Sequence, residues 1–80
     1  MHEFGLIKNM LKAVEDVQRT HKMRPVRKIT IELSEFSSVN EEHFKFHFLE
    51  ATKGTDFEKI ELEFLKVPFG PEAQLVQVTF

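Results

Sequence analysis

Apolar residues near the start of the chain recur every three to four positions, which is the period of an α-helix. Polar residues fill the positions between them, so the pattern predicts an amphipathic helix that ends near His21. Pro25 disfavours a helical conformation in the residue before it, which agrees with that end. The predicted buried stripe of this helix consists of Phe4, Ile7, Met10, Leu11, Val14 and Val17.

The next segment changes to a period of two. From Val26 to Phe36, the apolar residues Ile29, Ile31 and Leu33 alternate with polar ones. Successive side chains of a β-strand point to opposite faces of the sheet, so this alternation predicts a strand with one buried face.

The stretch that follows allows two interpretations. Three phenylalanines alternate with other residues, as in a strand. However, Asn40 is a good N-cap, two acidic residues after it suit the positive end of a helix, and Gly54 suits the position after a helix end. These end signals favour a helix from about Glu41 to Lys53. Its predicted core side is Phe44, Phe48 and Ala51, flanked by Phe46 or Leu49.

Two further strands complete the pattern. Glu58 to Val67 predicts a strand with Ile60, Leu62 and Phe64 facing the core. A loop rich in proline and glycine follows at residues 68–73. The last predicted strand runs from Leu75 to Phe80, with Val76, Val78 and Phe80 on one face.

The order αβαββ predicts an α+β fold of two layers. We expect a three-stranded mixed sheet with both helices on its apolar face. The two strands joined by the second helix should be parallel, and the last two strands should form an antiparallel hairpin.

Length and composition exclude several classes of function. Eighty residues form a single domain, and the chain has no cysteine, so thiolate nucleophiles and cysteine-bound metals are excluded. A net charge of −2 without a basic stripe disfavours nucleic acid, and no apolar run is long enough to span a membrane. The absence of cysteine fits a cytoplasmic protein. No nucleophile lies in a catalytic motif, so we expect that the protein is not an enzyme.

The histidine at position 2 has two interpretations. It can be an ordinary residue at a chain end, where side chains usually have no role. It can also be part of a metal chelate, because the terminal amine, the first backbone amides and the imidazole of His2 lie within bonding reach of one ion.

Four segments, in order along the chain, carry a resemblance to a known family. They are "MHE" at the start, "VRKITIELSEFSSVNEEHFKFHF", "TKGT" and "IELEFLKVP". Together they resemble the nickel-binding domain of the HypA/HybF family, the nickel metallochaperones of hydrogenase and urease maturation. The resemblance covers nearly the whole chain.

This resemblance implies a transient Ni²⁺ site formed by Met1, His2 and Glu3. The implied donors are the terminal amine, backbone nitrogens near His2 and Glu3, and the imidazole of His2, in the square-planar arrangement that Ni²⁺ adopts. The Glu3 side chain would orient the imidazole. The implied function is a nickel-binding accessory protein, and the implied partners are a maturation GTPase or the apo-enzyme of a nickel enzyme such as hydrogenase or urease.

The chain departs from the family pattern at one position. Family members carry a zinc domain with two CxxC pairs after the strand that ends in "VP", which corresponds here to Val67 and Pro68. In this chain a short loop of residues 68–74 replaces that insert, so we expect no zinc.

Two alternatives remain open from the residues alone. His43, His47 and Glu50 share one face of the second predicted helix and are candidates for a second metal site, although a solvated helix face is the simpler interpretation. The alternative function is an interaction or dimerisation module that keeps the fold without delivering nickel. Nine phenylalanines and open sheet edges favour a partner surface or a homodimer.

Overall fold

The computed structural model describes the backbone of residues 3–80 and the side chains from residue 5 onward. Its secondary structure confirms the predicted order αβαββ and the α+β fold. The elements are α1 (Glu3–Thr20), β1 (Lys28–Ser34), α2 (Glu41–Thr52), β2 (Glu61–Val67) and β3 (Ala73–Thr79).

Strand β1 is the centre of a mixed sheet with the strand order β2-β1-β3. It pairs in parallel with β2 and antiparallel with β3. The predicted hairpin between the last two strands is therefore wrong, because β3 lies beside β1 rather than β2. Residues 68–72 can cross the end of β1, since two strand spacings amount to only about 10 Å.

A register shift in β3 changes which of its residues face the core. Ile29 lies opposite Val78 and Ile31 lies opposite Leu75, so one extra residue of β3 is accommodated between them. Leu75, Val78 and Phe80 pack on the core, whereas Val76 is 43% exposed. The prediction that Val76 shares the face of Val78 is wrong, because strict alternation does not continue through a bulge.

The core lies between the helices and one face of the sheet. Ile29, Ile31 and Leu33 of β1 are fully buried there, as predicted. Both helices contribute to this core cluster, which also includes Ile60 before β2. The helical members of the cluster are Ile7, Met10 and Val14 of α1 and Phe44 and Phe48 of α2.

Helix α2 begins where the capping signals predicted. The Oδ1 atom of Asn40 accepts a hydrogen bond of 3.1 Å from the backbone N–H of His43. The core prediction for α2 is wrong at one position: Ala51 is exposed, and Thr52 is buried and donates its hydroxyl to the carbonyl of Phe48 at 2.8 Å. Thr52 continues the buried stripe because it lies four residues after Phe48.

The exposed side of α2 carries two large apolar residues. Phe46 is 59% exposed and Leu49 is 56% exposed, so neither belongs to the core. In the part of the chain that the structure describes, no helix is both long enough and apolar enough to cross a membrane.

Candidate metal centre

The predicted nickel ligands are Met1, His2 and Glu3. Met1 and His2 lie outside the described residues, and so does the side chain of Glu3. Helix α1 begins at Glu3, so the last of the predicted ligand residues is the first residue of this helix.

Helices α1 and α2 pack side by side. A groove between them is lined by Leu11 and Glu15 of α1 and by Ala51 and Thr52 of α2. The second half of α1 therefore lies next to the last turn of α2. Each helix leads into one of two parallel strands, β1 or β2, so both helices run in the same direction and begin at the same end of the sheet.

The first turn of α2 carries one imidazole. His43 is exposed, and only its backbone N–H takes part in the helix cap with Asn40. Glu41 and Glu42 line a depression together with Lys66, at the end of β2. Both glutamates thus lie near the end of β2.

The candidates for a second metal site do not come together as a ligand set. His43 and Glu50 are exposed, and His47 is half-buried with its ring edge-on to Phe46 at 5.5 Å between centroids. Among the residues whose side chains the structure describes, no group of three or more His, Cys, Asp or Glu is arranged to hold a metal ion. His43, His47 and Glu50 alone do not form a three-ligand site.

One contact at this end of the molecule was not predicted from the sequence. The Ser38 hydroxyl donates a hydrogen bond of 2.7 Å to Oε1 of Glu72, and the Ser38 backbone N–H approaches the same oxygen at 3.4 Å. These hydrogen bonds lower the pKa of the Glu72 carboxyl below its usual 4.5, and the bond from the Ser38 hydroxyl has the larger effect. No periodic pattern could indicate this pair, because the two residues lie 34 positions apart.

One known protein family matches most of the chain. Residues 1–72 match the family model described as "Hydrogenase/urease nickel incorporation, metallochaperone, hypA". The chain belongs to the HypA family. The match begins at the first residue, so it includes the three predicted ligand residues.

Curated HypA proteins show the same relationship. The hydrogenase maturation factor HypA of Acidithiobacillus ferrooxidans is 35% identical over 68 residues, which cover 85% of this chain and 60% of that protein. The protein of the same name from Thermococcus sibiricus is 35% identical over 65 residues, which cover 81% of this chain and 47% of that protein. This HypA-family chain thus spans about 60% or less of the length of these relatives.

A solved structure has the same fold. The solution structure of the Ni metallochaperone HypA from Helicobacter pylori matches with a TM-score of 0.82. The match covers 99% of this chain and 97% of that chain, at 11% sequence identity. At this identity the match establishes the fold alone.

Proposed function

We propose that this HypA-family protein binds Ni²⁺ at its amino terminus and passes the ion to a partner in the maturation of a nickel enzyme. The observation that carries the proposal is the family match over residues 1–72, which begins at the first residue of the "MHE" segment. The partner would be a maturation GTPase or the apo-enzyme of a hydrogenase or urease. The protein would act as a carrier in the cytoplasm rather than as an enzyme.

The chemistry of the first residues supports this proposal. The terminal amine of Met1, the amide nitrogen of His2 and the imidazole of His2 are joined by few bonds, so one ion can bind all three with small chelate rings. Nitrogen donors of this kind suit square-planar Ni²⁺. The positive end of α1, which begins at Glu3, favours the anionic form that the amide takes when it binds the ion.

The loop between β2 and β3 is the reason to propose that the protein holds no zinc. Residues 68–74 would stand in place of the zinc-binding insert of the family, and the sequence contains no cysteine to rebuild it. We therefore infer a domain of residues 1–80 that carries nickel transiently and holds no zinc.

The test compares single histidine variants of the untagged protein. We expect the wild type to bind one Ni²⁺ per chain in a diamagnetic, square-planar form, and His2→Ala to abolish this binding. His21→Ala is the matched control, because His21 is exposed at the other end of α1. A wild type with a free terminus that shows no square-planar spectrum would contradict the proposal.

A second candidate function is supported by two exposed phenylalanines. Phe36 follows the end of β1 and is 85% exposed, and Phe69 follows the end of β2 and is 84% exposed. Because β1 and β2 are parallel, both lie at the same end of the sheet. Exposed apolar residues of this size are typical of partner surfaces, so the fold could serve as an interaction or dimerisation module. Sedimentation that shows association independent of nickel and of His2→Ala would favour this function.

A further inference from the structure

The cationic side chains of the protein are unevenly placed. Five of the eleven Lys and Arg residues lie between Arg19 and Lys28, whereas all thirteen Asp and Glu residues lie outside this segment. The segment includes the end of α1, the connection that follows it and the first residue of β1. A chain with a net charge of −2 therefore concentrates positive charge at the end of the sheet where β1 begins.

Three side chains of this segment meet at Phe80. The ring of His21 lies 4.7 Å from the ring of Phe80 between centroids, and Cζ of Arg24 lies 5.2 Å from the same Phe80 centroid. Nε of Arg27 donates a hydrogen bond of 3.2 Å to the main-chain oxygen of Phe80. These three side chains and that of Lys22 belong to exposed residues, and together they form what we call the basic surface.

The backbone of the basic surface is held in an unusual conformation. Lys22 and Met23 have φ values of 57° and 59°, in the left-handed region that residues other than glycine rarely adopt. The Met23 N–H donates a hydrogen bond of 2.8 Å to the carbonyl of Gln18, and the buried side-chain amide of Gln18 donates one of 3.0 Å to the carbonyl of Arg24. The cations thus lie on an ordered connection, which reduces the entropy that is lost when a partner binds.

None of the ion pairs formed by the described side chains involves the basic surface. They join the two flanking cations instead: Arg19 lies 3.2 Å from Asp16, and Lys28 lies 3.9 Å from Glu63. The guanidinium of Arg24 has no hydrogen-bond acceptor within the described part of the chain. Its N–H donors are therefore available to an acceptor from another molecule.

We propose that the basic surface binds an acidic segment of a partner protein. A guanidinium binds a carboxylate through two parallel hydrogen bonds, and an arginine that also stacks on an aromatic ring is well suited to this contact. The surface lies at the end of α1 opposite Glu3, about 27 Å away along a helix of 18 residues. The proposal is therefore independent of the proposed nickel site.

The size of the basic surface favours an acidic protein segment over nucleic acid. A nucleic acid strand carries a phosphate on every nucleotide and would extend beyond the four side chains of the surface. It would then approach carboxylates at the margin. Asp16 lies one turn before the end of α1, and the backbone N–H of Glu61 donates a hydrogen bond of 2.9 Å to the carbonyl of Arg27. A short acidic segment can contact the cations without meeting these carboxylates.

The test measures binding of a fluorescently labelled peptide of alternating Glu and Gly to the full chain by fluorescence anisotropy. The affinity should fall about tenfold in Lys22→Gln/Arg24→Gln and by no more than about twofold in Lys8→Gln/Lys12→Gln. The second variant is the matched control, because it removes the same charge from exposed positions elsewhere on α1. Binding of the wild type should weaken as the salt concentration rises. Circular dichroism checks that both variants keep their helices.

Three outcomes would overturn the proposal. The first is that the wild type binds the acidic peptide no better than a peptide of alternating Gln and Gly. The second is an equal loss of affinity in the two double variants, which would mean that the peptide responds to total charge rather than to the basic surface. The third is tighter binding of a single-stranded oligonucleotide of the same charge through Lys22 and Arg24, which would assign the surface to nucleic acid.

Discussion

The hydroxyl of Ser38 donates a hydrogen bond of 2.7 Å to the carboxylate of Glu72 and so ties the β1–α2 connection to the loop that precedes β3. This loop joins β2 to β3 across the end of β1. The Ser38–Glu72 contact thus joins this short connection to the segment just before the first turn of α2.

The first prediction concerns the ionisation of Glu72. Its pKa in the folded protein is lowered, so the stabilising contact is fully present above the unfolded pKa and is lost as the pH falls through the folded pKa. Ser38→Ala should raise the pKa of Glu72 toward 4.5, as measured by an NMR titration of its carboxyl carbon. Ser37→Ala is the control, because the Ser37 hydroxyl accepts from Val39 instead. An unchanged pKa in Ser38→Ala would contradict the assignment.

The second prediction tests the core side of α2. Phe44 is fully buried and its ring meets Phe64 edge-on at 5.6 Å, so Phe44→Ala should lower the free energy of unfolding by about 3–5 kcal/mol. Phe46 is mostly exposed, and Phe46→Ala should change it by no more than about 0.5 kcal/mol. Urea unfolding followed by circular dichroism measures both values. Equal effects of the two substitutions would favour the strand interpretation of this segment.

The third prediction tests the bulge in β3. Leu75 packs on the core, so Leu75→Ala should lower the free energy of unfolding by about 2 kcal/mol. Val76 points away from the core, and Val76→Ala should cost no more than about 0.5 kcal/mol. Urea unfolding followed by circular dichroism measures both changes. If Val76→Ala lowers the free energy of unfolding more than Leu75→Ala does, the side chains of β3 alternate without a bulge.

Most of the fold could be predicted from the sequence because its signals are local. The period of α1, the alternation of Ile29, Ile31 and Leu33, and the cap at Asn40 each depend on residues within a few positions of one another. Residues in such patterns determine their own secondary structure. The predicted elements therefore agree with the observed ones in type and order.

The errors concern features that depend on distant residues. Nothing near β3 in the sequence indicates that it pairs with β1 rather than β2, because partner choice depends on how the loop crosses the sheet. The bulge opposite Ile31 likewise arises from pairing with β1. The candidate ligands Met1, His2 and Glu3 could be picked out locally, whereas the Ser38–Glu72 contact joins residues 34 positions apart.

The most direct test of the proposed function is calorimetry with Ni²⁺ on two preparations of the same chain. One carries its native first residue, and the other carries a short extension before Met1. The extension removes the free amine from position 1. We predict one Ni²⁺ bound per native chain and no comparable binding by the extended chain. Identical titrations of the two forms would contradict a nickel site at the amino terminus.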